Sequence, residues 1–174
     1  MFSGAHLHLF VNHAPIFGAL FALATIIVSF FWKGAGDVLR RVALLFLIFT
    51  ALAAVVADKS GDPAEDAIRG FPGVRRAVIH EHEEMGDKAY LVAGIVGVLS
   101  IGALVRWRRT PIPSGASYGT LLGAAVVSGM MVYTGLLGGR VRHTEVRPGA
   151  TPADAVYIEP RRARPGAPSP DSMP

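Results

Sequence analysis

The chain has 174 residues, of which 51% are hydrophobic and only 17% charged, and its mean hydropathy is +0.41. Soluble domains carry about 25% charged residues, so this composition excludes a soluble globular enzyme and a disordered chain and points to an integral membrane protein. The net charge of +4 does not imply a nucleic-acid partner, because the basic residues lie between and after apolar blocks; the absence of cysteine excludes disulfides, cysteine-ligated zinc, iron–sulfur clusters and covalently attached haem.

Four uncharged apolar blocks follow one another: residues 14–32, 42–57, 89–105 and 118–139. Crossing about 30 Å of hydrocarbon takes about 20 residues. The second and third blocks need a turn from their neighbours, which Leu39, Arg40 and Arg41 supply by snorkelling and Met85 and Gly86 by extension. In lipid the backbone must satisfy its own hydrogen bonds, so the blocks are read as helices, over about 9–32, 38–58, 74–107 and 117–142. The first is not a cleaved signal peptide, since its flanking Lys33 follows it. Short first and third connections make two helical hairpins, and the expected fold class is all-α: an integral membrane four-helix bundle within residues 1–146. Gly119 and Gly123 in the last block, and Ala93 and Gly97 in the third, are read as close-packing positions.

The middle connection carries Asp62 as an expected N-cap, Pro63 as a first helical residue and Gly70 as a stop. A short interfacial helix over about 63–69 is therefore expected, followed by a turn at Phe71-Pro72-Gly73. From Arg147 to Pro174 the chain is rich in Pro, Gly and Arg, so a tail without a packed core is expected there.

The first connection has Lys33, Arg40 and Arg41 against Asp37, and the third has Arg106, Arg108 and Arg109 with no acid. The positive-inside rule places both in the cytoplasm, with both termini and the acid-rich middle connection outside. Arg140, Arg142, Arg147, Arg161, Arg162 and Arg164 pull the other way.

In an up-down-up-down bundle all six histidines, His6, His8, His13, His80, His82 and His143, fall at one membrane face. At 1.5 Å per residue, His80 stands roughly 14 Å, His8 roughly 9 Å and His143 roughly 6 Å beyond their apolar blocks, and His13 lies at the boundary. His80, Glu84, Asp87 and Leu91 share one helix face, with His82 nearly opposite, so His80 is the expected inward residue. Three readings stay open: one b-type haem held by two imidazoles; a zinc, copper or iron site built from His8, His80, His143 and Glu84; or surface histidines and acids that bind loops or a partner subunit. Only one haem fits, because the opposite face has no histidine. His13-Ala14-Pro15 is also explained as a helix start, with Asn12 as cap. No nucleophile–base pair and no phosphate loop supports an enzyme acting alone.

The stretch Leu7-His8-Leu9-Phe10-Val11-Asn12-His13-Ala14-Pro15 resembles the opening of an uncharacterised family of bacterial four-helix membrane proteins, a domain of unknown function with a His-Pro-x-x-x-His-x-Pro signature. The spacing of His8, His13 and Pro15 matches; Leu9 stands where the family has proline. The family's closing Thr-Gly-x-x-Gly-Gly and following histidine are similar to Thr134-Gly135-Leu136-Leu137-Gly138-Gly139 and His143, with Thr144 in place of the usual glycine. The resemblance spans about residues 7–143. A later histidine of the family, at the start of the third helix, looks like His80 or His82; the positions singled out are His8, His13, His80 and His143, and the joining of family members to cytochrome c modules implies electron transfer. The leading expectation is one haem b ligated by these histidines, with Glu83, Glu84 or Asp87 orienting the imidazoles. The expected location is the bacterial inner membrane, with a membrane or periplasmic redox partner. The alternatives are an accessory subunit of a larger complex and a non-haem metal protein.

Overall fold

The computed structural model describes residues 4–32 and 34–151; the remainder of the expected tail lies outside the described residues. Every described element is helical: α1 (Gly4–Val11), α2 (Ala14–Phe31), α3 (Gly36–Lys59), α4 (Gly61–Ile68), α5 (Arg76–Arg106), α6 (Ser114–Arg142) and a 3-10 turn, Thr144–Val146. The four long segments, with α1 running into α2 and α3 into α4, are long and apolar enough to cross a membrane.

The expected first helix is broken in two, and Pro15 supplies the reason. It has no N–H to give the Val11 carbonyl, and its ring crowds that carbonyl. α1 therefore ends at Val11, and α2 begins with Pro15 in its first turn. Asn12 is not the cap: His13 holds that position without a side-chain bond, and Asn12 Oδ1 is buried without a partner among the described residues. α4 begins two residues earlier than the Pro63 expected, because Ser60 rather than Asp62 precedes its first turn. Gly70 does terminate it, at φ +85, a region open to glycine. Phe71-Pro72-Gly73-Val74 then closes a turn with Val74 N–H donating to Phe71 O at 3.2 Å. Proline followed by glycine at φ +80 is the pattern of a type II turn.

α2 packs on α3 and α6, and α5 packs on the same two helices, so α2, α3, α5 and α6 form a ring of antiparallel neighbours. The core is made of small side chains: Ala19, Ala22, Ala43, Ala54, Ala89, Ala93 and Ala124 are all buried, with Ile26, Leu47, Val127 and Met131 filling the gaps. Large apolar residues such as Phe17, Leu52, Leu91, Val98 and Leu122 stand exposed on the outside, where lipid covers them. With no hydrophobic gain between helices in lipid, close backbone approach holds the bundle. At Gly97 of α5 an added Cβ would lie 2.6 Å from Ala51 Cβ of α3, and at Gly123 of α6 one would lie 3.3 Å from Val96; Gly119 faces open space. Buried Thr50, Ser100 and Thr120 satisfy their hydroxyls on the carbonyl four residues back.

At the face away from the histidines, Trp32, Trp107 and Tyr118 stand at helix ends, where indole and phenol groups suit the headgroup level. Arg40 and Arg41 do more here than snorkel. Arg41 donates to Asp37 (2.8 Å), Trp107 O (2.9 Å) and Thr110 O (2.9 Å), and Arg40 donates to Ile112 O (3.1 Å). Asp37 in turn accepts the Ile112 N–H at 2.7 Å. The start of α3 thereby fastens the whole α5–α6 connection.

Candidate functional site

The topology gathers the start of α2, the end of α3, the start of α5 and the end of α6 at one face, so the histidine-bearing segments meet as the spacing implies. Two of the imidazoles are built into the packing. His8 of α1 donates from Nδ1 to Ala57 O at 3.0 Å, with Ser60 Oγ at 3.2 Å. The Ser60 hydroxyl proton goes to Val56 O or Ala57 O, which leaves its oxygen to accept from His8. His82 of α5 donates from Nδ1 to Thr134 O of α6 at 3.0 Å.

A main-chain carbonyl can only accept, so Nδ1 carries the proton in both rings. In the neutral imidazole Nε2 then holds a lone pair. Neither Nε2 has a protein partner among the described residues. The His82 ring lies flat on bare backbone: a Cβ added at Gly138 would be 2.9 Å from His82 Cε1. Gly135, one turn earlier, receives the side chain of Ile16 in the same way, at 2.8 Å.

The other expected site residues are placed differently. His80 and Glu84 are exposed, and Glu84 pairs with Lys88 at 2.7 Å. His13 is exposed at the α2 cap. His143 is exposed and binds Glu145 at 2.9 Å; Glu145's own main-chain N–H and then His143 hold its carboxyl below the usual carboxylate range. Asp87 is exposed, and Glu83, half-buried, turns toward Glu65 of α4. His82, not His80, faces α6. The reason is that Leu91, which set the expected inward face, is exposed toward lipid. The inward face of α5 instead runs Ile79, His82, Gly86, Ala89, Ala93, Gly97, Ser100. Among the described residues no group of three or more His, Asp or Glu is placed to hold a metal ion.

Thr134, Ser60 and Gly138 complete this arrangement; Thr134 and Gly138 lie in the Thr-Gly-x-x-Gly-Gly stretch, whereas no sequence pattern marks Ser60. The stripe of small residues in α5, continued backward in steps of three and four from Ala89 to Gly86 and His82, is the signal that could have found the inward histidine. The chain matches no protein-family model, no curated protein and no solved structure.

Proposed function

We propose that this protein holds one redox cofactor, haem b, between imidazoles at its histidine-bearing face, and serves membrane electron transfer. One observation carries the reading: His8 and His82, from different helices, each commit Nδ1–H to a main-chain carbonyl and keep Nε2 available. A ligating histidine is oriented in this way by a hydrogen bond from its other nitrogen. His82 takes the place expected for His80, and His13 and His143 become outer neighbours. Two imidazoles suffice for haem iron, whereas zinc, copper or non-haem iron wants three or more protein ligands. When bound, the group would supply reversible one-electron chemistry; the chain's part is to ligate it and fix both ring planes. Location in a bacterial inner membrane with periplasmic termini, and a periplasmic or membrane redox partner, belong to the same reading.

A second reading rests on the outward face of α5. His80, Glu81, Glu84 and Asp87 are all exposed along one side, which suits a chain that docks a partner as an accessory subunit.

A reduced-minus-oxidised visible spectrum of the full-length protein, with metal analysis on the same sample, separates the two. Sharp α and β bands that vanish in H8A and H82A but persist in H80A and H143A support the haem. A wild-type protein without haem or stoichiometric metal leaves the accessory subunit. Haem retained in both H8A and H82A rejects this ligand pair.

A further inference from the structure

We propose that the hollow between the end of α6 and the turn before α5 is a binding site for a phosphate group, presented by an anionic lipid headgroup. The hollow has a volume of about 150 Å³, and Arg75, Arg147, Thr144, Gly73 and Gly149 line it. Both glycines take positive φ, +80 and +73, so no side chain rises from those points of the wall.

Arg147 is held in place as part of that wall. Its Nε donates to Arg140 O at 2.8 Å, and its Nη2 to Gly73 O at 2.8 Å and Val141 O at 3.0 Å. These acceptors are neutral carbonyls, so the bonds that orient the guanidinium do not themselves cancel its charge; the carboxylate that acts on it is Glu145, which is bound first by its own main-chain N–H and by His143. Nη1 has no partner among the described residues. A planar fork with a free edge suits a phosphate oxygen pair. Thr144 adds a hydroxyl that makes no hydrogen bond to another described residue.

Arginines cluster around the hollow. Arg75 and Arg76 lead into α5, and Arg140 and Arg142 end α6. Glu145, the acid that follows α6, is engaged by His143. A cluster of like charges of this kind raises the local concentration of anions.

Depth selects the source of the phosphate. Thr144 stands about 7 Å beyond the end of the last apolar block at helical rise, and the headgroup layer extends about 5–7 Å beyond the hydrocarbon. A lipid phosphate therefore lies level with the hollow. Such a ligand also accounts for arginines that the positive-inside rule leaves on the outer face, because anionic headgroups attract basic residues wherever they meet them.

The test uses the full-length protein in neutral detergent, titrated separately with dioctanoyl phosphatidylglycerol, dioctanoyl phosphatidylcholine and inorganic phosphate. Phosphatidylglycerol should bind more tightly than phosphatidylcholine, and less tightly as salt rises. R75Q should weaken it about fivefold, the worth of one interfacial cation. R147Q should weaken it at least as much. R106Q, at the opposite face, should leave it unchanged. Because R147Q also removes the bonds to Gly73 and Val141, the exposed Arg75 is the decisive position. Inorganic phosphate that competes for the site with the same R75Q dependence supports the phosphate site with a free ion as its source; binding of the lipid alone supports the headgroup. Equal binding of both lipids, or binding indifferent to R75Q and R147Q, overturns the proposal.

Discussion

Gly138 of α6 and His82 of α5 stand face to face, and the imidazole occupies the space that any side chain at 138 would take. A Cβ there would fall 2.9 Å from His82 Cε1 and 3.3 Å from Nδ1, while Nδ1 is tied to Thr134 O four residues away. The ring cannot tilt away and still keep that bond. G138A should therefore cost about 1–3 kcal/mol, the usual range for overpacking, and lower the thermal unfolding midpoint. G139A is the matched control: nothing lies within 4 Å of its added Cβ, and alanine favours a helix by about 1 kcal/mol over glycine. Equal midpoints for the two variants would show that the His82 seat is not tight.

His8 does for α1 what tertiary packing does for the longer helices. α1 is eight residues long and has no buried residue, and helices shorter than about 12 residues are marginal alone. Its docking rests on His8 at the α3–α4 junction and on Gly4 against Pro63. H8A should release α1 and leave the four long helices in place. Amide exchange over residues 4–11 should quicken about fivefold, the equivalent of one net hydrogen bond of about 1 kcal/mol, with exchange in α3 and α6 unchanged. Unaltered protection across α1 would mean that the Gly4–Pro63 contact is sufficient.

Much of this molecule is legible in its sequence, and the failures share a cause. Uncharged runs of about the right length are enough to place four helices, because lipid admits few other structures. Hairpin topology alone then brings His8, His82 and His143 to one face. What misleads is the rule for facing. In water Leu91 would point inward and carry His80 and Glu84 with it; in lipid Leu91 points out, and Ala89, Ala93 and Gly97 point in. Reading α5 by its small residues recovers His82. The loop clamp at Asp37 and the Arg147 hook are of another kind. They join residues more than sixty positions apart through main-chain carbonyls and one main-chain N–H, which no local pattern encodes. Arg147 also carries the folded part past residue 146, where composition alone suggests the tail begins.

The α3–α5 seam should be the least tolerant of added volume. Gly97 meets Ala51, where an added Cβ would come to 2.6 Å of the Ala51 Cβ, and neither side has a flexible group that could move aside. G97A should destabilise the bundle by about 1–3 kcal/mol. G94A, on the same helix with nothing within 4 Å, should be neutral or slightly stabilising. The added A51G substitution should return part of the G97A loss, since it removes the opposing Cβ. Unfolding midpoints of the three variants and the wild type in one detergent decide it; a G97A loss that A51G does not relieve would point to backbone strain in place of the contact.

Asp37 governs the opposite end of the bundle. Its two carboxylate oxygens serve different partners: Oδ1 accepts the Ile112 N–H at 2.7 Å, and Oδ2 accepts Arg41 Nε at 2.8 Å. Ile112 is fully buried, so its N–H has no access to water as a substitute. Removing the acceptor should cost about 1.5 kcal/mol, the low end for a bond to a charged group, because the Asp37 side chain remains about a third exposed (35%). D37A should therefore loosen the connection from Trp107 to Pro113 and make it the first site of proteolytic cleavage. D37N keeps an oxygen for Ile112 but loses the charge that holds Arg41, so it should fall between D37A and the wild type. The same ordering should hold for thermal midpoints. If D37N and D37A are cleaved equally fast, the Arg41 ion pair, not the Ile112 hydrogen bond, is what fastens the loop.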